Sequence, residues 1–213
     1  MVSLDAFHSV GIIPVDVQKS GVDFLTGGVL KWLCGGPGGC FLYVSPAVRD
    51  SLQPALTGWQ AHPRPFAFEG KLEYADGPFR WLNGTPVIPA LYANAEGVKI
   101  IRRAGVDAIR KKSMRQTARL IELADERGFR VFAPRDPKQR AGTVAIDVPH
   151  GYEVAQELLS REILIDYRVG AGIRAAPYFF NTDEEIETLI DAIDEILTAE
   201  AWVKHKAGHP VVT

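Results

Sequence analysis

The chain has 213 residues, 46% of them apolar and 23% charged, with a formal net charge of −2. That length allows one large domain or two small ones with a buried core, and the charge supplies no global field to attract nucleic acid or an anionic membrane. No apolar run approaches the roughly 20 residues of a membrane-spanning helix, and Met1-Val2-Ser3-Leu4-Asp5 lacks the basic and apolar regions of a signal peptide.

Gly11-Ile12-Ile13-Pro14 and Val22-Asp23-Phe24-Leu25 read as buried strand or turn pieces. Cys40-Phe41-Leu42-Tyr43-Val44 is a short β-rich run closed by Ser45-Pro46, and Ser45 with Pro46 at N1 opens one or two helical turns to Leu52. From Gln53 to Arg80 four prolines and no clear period predict loop with short extended pieces. Val87, Leu91, Ala95, Val98 and Ile101 predict a helix over 87–104, ended by Gly105. A second helix spans 106–127, with Val106, Ile109, Met114, Leu120, Ile121 and Ala124 inward and Gly128 as its stop. Strands follow at 129–132, 142–148 and 163–165, with a helix at 152–160 between the last two. Thr182 and Glu185 form a capping box for a last helix, and the tail from Lys204 reads as frayed.

Residues 90–213 therefore read as a small α+β domain. Residues 1–89 carry strands and loops with few helices to cover them, so they read as part of something larger. Unpaired strand edges and exposed apolar surface predict an oligomer, at least a dimer. Cys34 and Cys40 flank Gly35-Gly36-Pro37-Gly38-Gly39, while His8 and His62 lie far from them in sequence. Two reduced thiols of a cytoplasmic protein, rather than a zinc site, is the expectation.

Four stretches carry chemistry-bearing residues: Asp5-Ala6-Phe7-His8-Ser9-Val10-Gly11, Asp23-Phe24-Leu25-Thr26-Gly27-Gly28-Val29-Leu30-Lys31-Trp32-Leu33 with the glycine loop, Asn83-Gly84-Thr85-Pro86, and Gly172-Ile173-Arg174-Ala175-Ala176-Pro177 with Phe180-Asn181-Thr182. Taken singly they are ordinary. A lysine beside Leu30 and Trp32 most often snorkels to solvent, and the glycine loop lacks the ending of a nucleotide phosphate loop. Together, a lysine and a carboxylate from the ends of neighbouring strands suit pyridoxal phosphate (PLP) chemistry. The lysine is a nucleophile that bonds the cofactor, and the carboxylate keeps the ring nitrogen protonated.

The order Asp-x-x-His-Ser-x-Gly, Lys-Trp-Leu, Gly-Gly-Pro-Gly, Gly-Ile-Arg and Asn-Thr-x-Glu-Glu resembles the C-terminal half of class V aminotransferase enzymes. That group includes kynureninase, cysteine desulfurases and isopenicillin-N-epimerase-like proteins. The resemblance implies an α/β architecture derived from fold-type-I PLP enzymes, with 1–89 the second half of the large cofactor domain and 90–213 the small C-terminal domain. It implies that Asp5 pairs with the pyridinium nitrogen, that His8 lies near the cofactor's phenolic oxygen or the substrate, and that Lys31 bonds the cofactor and then moves protons. Trp59 and Thr85 would reach the cofactor phosphate of a neighbouring subunit, and Arg174 would clamp a substrate carboxylate. Simpler roles exist for each: a core aromatic for Trp59, a helix N-cap for Thr85, and a structural ion pair beside Asp166 for Arg168. Val29 and Leu30 stand where relatives carry phosphate-binding side chains, and neither can donate a hydrogen bond.

The implied activity is on an amino acid, by transamination, elimination or kynureninase-like cleavage. It would be completed by a separately encoded N-terminal half or a rearranged homodimer. No cysteine follows Cys40, which argues against desulfurisation. The alternative is a non-catalytic oligomeric remnant without cofactor. Arg102, Arg103, Arg110, Lys111, Lys112, Arg115 and Arg119 crowd two helices, but interleaved acids favour a solvated face over nucleic-acid binding.

Overall fold

The computed structural model describes residues 1–206. The chain divides into two compact units, Met1–Val106 and Asp107–Thr213. Each is described by itself.

The first unit is built on a three-stranded sheet, β1 (Ser3–Asp5), β2 (Phe24–Gly28) and β3 (Cys40–Val44). β1 and β2 are parallel, with Asp5 opposite Thr26, and β3 runs antiparallel to β2. A parallel pair needs a crossover, and residues 6–23 supply it. The crossover carries the one-turn helix α1 (Val17–Ser20), capped by Asp16 and closed by Gly21 at φ 63°. Ala6, Val22 and Leu25 bury a small core with Leu4, Val10, Val15, Val17 and Tyr43 packed around it. α2 (Pro46–Arg49) starts as the sequence predicts, with the Ser45 hydroxyl accepting from Ala47 N.

The stretch 53–80 differs from the expectation of loop with short extended pieces. It forms three 3-10 turns, at Trp59–Ala61, Pro65–Ala67 and Gly77–Trp81. Their organiser is Arg80, 8% exposed, whose guanidinium donates to the carbonyls of Ala75, Asp50 and Leu52 at 3.0, 2.6 and 3.2 Å. A long loop cannot leave buried carbonyls unpaired, and here one side chain satisfies three.

α3 (Ile88–Ala104) falls at its predicted place but presents a different face. Its buried residues are Asn94, Gly97 and Ile101, while Val87, Leu91 and Val98 stand exposed. The small side of the helix lies against the glycine loop: a Cβ at Gly97 would sit 2.2 Å from the carbonyl oxygen of Cys34. That close approach turns the apolar stripe outward and attaches α3 to the first unit, whereas the sequence reading drew its boundary after residue 89.

The second unit is a four-stranded antiparallel sheet of order β4-β5-β7-β6: β4 (Arg130–Val131), β5 (Val144–Asp147), β6 (Asp166–Arg168) and β7 (Gly172–Ala175). Helices α4 (Val106–Glu126), α5 (Gly151–Ser160) and α6 (Asp183–Thr198) complete it. Val144, Ile146, Leu158, Ile173, Ile190, Ile193 and Ile196 are among the fully buried residues of its core. The expected strand at 163–165 is displaced. Ile163 and Ile165 tuck against the core and Leu164 is 87% exposed, but the ladder begins only at Asp166, where pairing with Arg174 is available. The capping box at Thr182 and Glu185 forms as predicted.

The tail is the other correction. Residues 201–205 form a 3-10 turn held by Trp202, which is 8% exposed and stacks on His150 at 3.4 Å. The carboxylate of Glu157 accepts from Lys204 Nζ at 2.7 Å and His205 Nε2 at 3.0 Å, with Arg161 and Ser160 also bonded. Burial pushes the Glu157 carboxyl up, but these four donors outweigh it and hold it down at about 2. The rest of the expected frayed tail, 207–213, lies outside the described residues. Among the described residues no helix is long and apolar enough to cross a membrane.

Candidate active site

Asp5 is the last residue of β1, and Lys31 comes three residues after the end of its parallel neighbour β2. Open parallel sheets bind ligands outside the carboxyl ends of their strands, which is where this pair stands. Ala6 N donates to Thr26 O at 2.8 Å, so the two chain exits stay side by side. One oxygen of Asp5 accepts from Phe7 N at 2.9 Å, fixing the carboxylate while leaving its second oxygen without a protein partner. His8 is exposed on the turn that follows.

The turn carrying Lys31 is tied at several points. Cys34 N donates to Lys31 O at 3.1 Å, Gly35 N to Val29 O at 2.7 Å, and Val29 N to Gly39 O at 3.0 Å. Gly27 and Gly28 are needed here for space: a Cβ at Gly28 would lie 2.0 Å from the Phe7 ring, and one at Gly27 2.5 Å from the Phe41 ring. The sequence reading missed Asn94. This residue is 4% exposed, its side-chain oxygen accepts from Gly36 N, and a Cβ at Gly39 would strike its amide at 2.3 Å. A lone asparagine in a helix has no local pattern that betrays a partner 58 residues away.

Lys31 itself is exposed, and its ammonium makes no hydrogen bond or ion pair among the described residues. Leu30 beside it is 49% exposed, in keeping with a lysine that reaches solvent past its apolar neighbours.

Trp59 and Thr85 share a second patch of the first unit. Gln60 N donates to Asn83 O at 3.2 Å, and the Trp59 Nε1 atom lies 3.7 Å from where a Cβ on Gly84 would be. The indole meets Phe66 edge-on at 5.3 Å and stacks with Phe68 at 6.1 Å. Thr85 does not cap α3, whose N-cap is Val87, so its hydroxyl is left exposed. No hydrogen bond or ring contact joins Trp59 or Thr85 to Asp5 or Lys31.

Arg174 belongs to the second unit. Its Nε donates to Asp166 Oδ2 at 2.8 Å, its Nη2 reaches the same oxygen, and Arg168 approaches the other oxygen at 3.5 Å. One carboxylate thus fills the guanidinium fork of Arg174 and is shared with Arg168.

His62, Glu69 and Glu73 bring three metal-capable groups within 4.8 Å. Arg64 occupies both carboxylates, with bonds of 2.7 and 2.8 Å to Glu69 and 3.2 Å to Glu73. His62 Nδ1 accepts from Arg64 N at 3.0 Å, which puts the ring proton on Nε2 and makes that atom a donor rather than a ligand. The group reads as an ion-pair network.

A parallel strand pair followed by an antiparallel-sheet unit matches the fold of fold-type-I PLP-dependent proteins over about half of their length. The comparisons agree. Residues 1–189 match the family model Aminotransferase class-V, and the chain belongs to that family. It is 32% identical over 206 residues to kynureninase of Pseudomonas fluorescens, covering 94% of this chain and 50% of that protein. It is 36% identical over 190 residues to the uncharacterized aminotransferase YcbU of Bacillus subtilis, covering 89% and 50%. Among solved structures, apo cysteine desulfurase from Thermococcus onnurineus superposes with a TM-score of 0.82 at 27% identity, over 92% of this chain and 52% of that one. The chain spans about half the length of the curated relatives it matches.

Proposed function

We propose that this chain supplies the lysine-and-aspartate half of a PLP site acting on an amino acid. The observation that carries the reading is the placement of Asp5 and Lys31 at adjacent carboxyl ends of the parallel pair β1–β2. Their chemistry fits the group: an amine with no protein partner, and a carboxylate with one oxygen fixed and one open. Bound there, PLP would serve as an electron sink for bonds at the substrate α-carbon. Lys31 would hold the cofactor covalently and then carry a proton to and from the substrate. Asp5 would hold the ring nitrogen protonated, and His8 would face the ring or the substrate. Trp59 and Thr85, exposed on one patch, would reach the phosphate of a neighbouring subunit. Arg174 would release Asp166 to take the substrate carboxylate, an exchange of one carboxylate for another. The reaction is transamination, elimination or kynureninase-like cleavage, the last favoured by the kynureninase relative. A complementary N-terminal half chain or a second copy would cover Lys31.

The test is a visible absorption spectrum of the full chain with PLP, followed by borohydride reduction, beside Lys31→Ala. A reducible adduct that traps one cofactor and vanishes in the variant is expected. An adduct of equal yield in Lys31→Ala, or none even with a second half supplied, would sink the reading.

A second reading rests on Val29 and Leu30. These side chains offer no hydrogen bond to a phosphate, and Val29 packs beneath the glycine loop, where a Cβ on Gly35 would meet it at 2.7 Å. In that reading the chain is a cofactor-free oligomeric module. The same spectrum separates the two.

A further inference from the structure

The basic face of α4 is neutralised unevenly. Arg115 pairs with Asp183, Arg119 with Glu122 and Glu187, and nearby Arg135 with Asp125. Arg110 and Arg140 bond no carboxylate. Arg140 is 4% exposed and spends its donors on neutral acceptors, with Thr117 Oγ1 at 3.1 Å, Pro134 O at 2.5 Å and Arg135 O at 3.2 Å. Arg110 donates from Nη2 to Pro137 O at 2.6 Å, and its Nη1 is buried without a partner.

Ser113 is 2% exposed, its hydroxyl also buried and without a partner among the described residues, and its carbonyl accepts from the Thr117 hydroxyl that Arg140 bonds. Arg110, Ser113 and Thr117 occupy one face of α4 by their spacing of three and four. The two guanidiniums are close enough to feel each other: burial and the Arg110 charge hold Arg140 below its ordinary range, with Asp136 pulling the other way. Two guanidiniums of low exposure that hydrogen-bond only neutral acceptors, beside two unused donors, leave room for a further anion. Asp136 is the nearby acid; its Oδ1 accepts from Lys138 N, and among the described residues it makes no ion pair with Arg110 or Arg140.

We propose that Arg110, Ser113 and Arg140 form a binding site for a small oxyanion, a phosphate or carboxylate group, on the face of α4 turned to the 134–140 loop. Arg110 is only half-buried, so its side chain is the movable wall through which the anion enters. Arg110 Nη1 and the Ser113 hydroxyl donate to the anion's oxygens, while Arg140, fixed by three acceptors, contributes charge. The site shares no residue with the cofactor reading and does not depend on it.

Isothermal titration of the full chain with inorganic phosphate, and separately with acetate, at constant ionic strength tests this. Saturable binding at one site is expected, weakened about tenfold by Arg110→Gln and by Ser113→Ala, and unchanged by Lys31→Ala. Phosphate binding alone would identify a phosphate ester as the natural ligand, and binding of both anions a carboxylate or phosphate group. Either supports the site. Absence of saturable binding, or equal binding by both variants, overturns it. Should Arg110→Gln fail to fold, Ser113→Ala, which removes one hydroxyl, decides.

Discussion

The two units of this chain bury apolar surface very differently. Among the described residues, eighteen large apolar side chains stand exposed in the first unit against six in the second. In the second unit an antiparallel sheet and its helices close over one core, from Leu120 through Ile196. In the first, the buried centre of the sheet is three small or medium residues, Ala6, Val22 and Leu25, while Phe41 and Leu42 of β3 face outward. A helix laid on that sheet would need an apolar face, and α3 instead gives its glycine and asparagine to the loop after Lys31. The lesson is that a unit can be locally ordered by backbone hydrogen bonds and glycine contacts yet lack the burial that makes a fold self-sufficient.

The sharpest way to break this comparison is to separate the units. Residues 107–213 expressed alone should give one cooperative thermal transition. Residues 1–106 alone should show none, or should self-associate, as read by calorimetry and sedimentation. Two cooperative, monomeric halves would refute the contrast.

Glu157 comes next in size. Glu157→Gln should cost the second unit about 2 kcal/mol in urea unfolding, since it removes the negative charge that Lys204, Arg161 and His205 share. The sign with pH follows from the lowered carboxyl. Its stabilisation is fully present above the ordinary value of 4.5 and is lost as pH falls toward about 2. Wild type should therefore lose stability relative to the glutamine variant across that interval, and parallel acid limbs would disprove the role.

The smallest effect should come from the exposed side of the first unit. Phe68→Ser, at a residue 76% exposed, should change unfolding free energy by less than about 0.5 kcal/mol. It should nonetheless reduce self-association measured by light scattering, because apolar patches of this kind drive it. A large stability loss with unchanged association would reverse the assignment.

Much of the second unit was legible in the sequence. The spacing of Ile186, Leu189, Ile190 and Ile193 and the pair Thr182–Glu185 located α6 and its cap, because these signals are local. β6 was misplaced because Ile163-Leu164-Ile165 alternates as a strand does, whereas the ladder is set by where β7 offers partners. The tail was misread for the same reason: nothing around Lys204 shows that Glu157 waits for it 47 residues earlier in the chain. In the first unit, the parallel neighbours that carry Asp5 and lead to Lys31 were legible as strands, and β1 and β2 pair with Asp5 opposite Thr26. The face of α3 and the role of Asn94 were not, since both depend on glycines whose value is the absence of a side chain.

The Glu157 cluster also has a bearing on the order in which the protein is made. The carboxylate is enclosed by α5, yet two of its four donors sit on the 201–205 turn. On the ribosome, the sheet and α5 of the second unit are synthesised well before those donors exist. Until they arrive, the nascent unit holds a buried acid with half of its partners missing. Its last increment of stability is thus withheld until residues 201–205 have emerged, and a polypeptide released short of them would be the one most exposed to quality-control proteases.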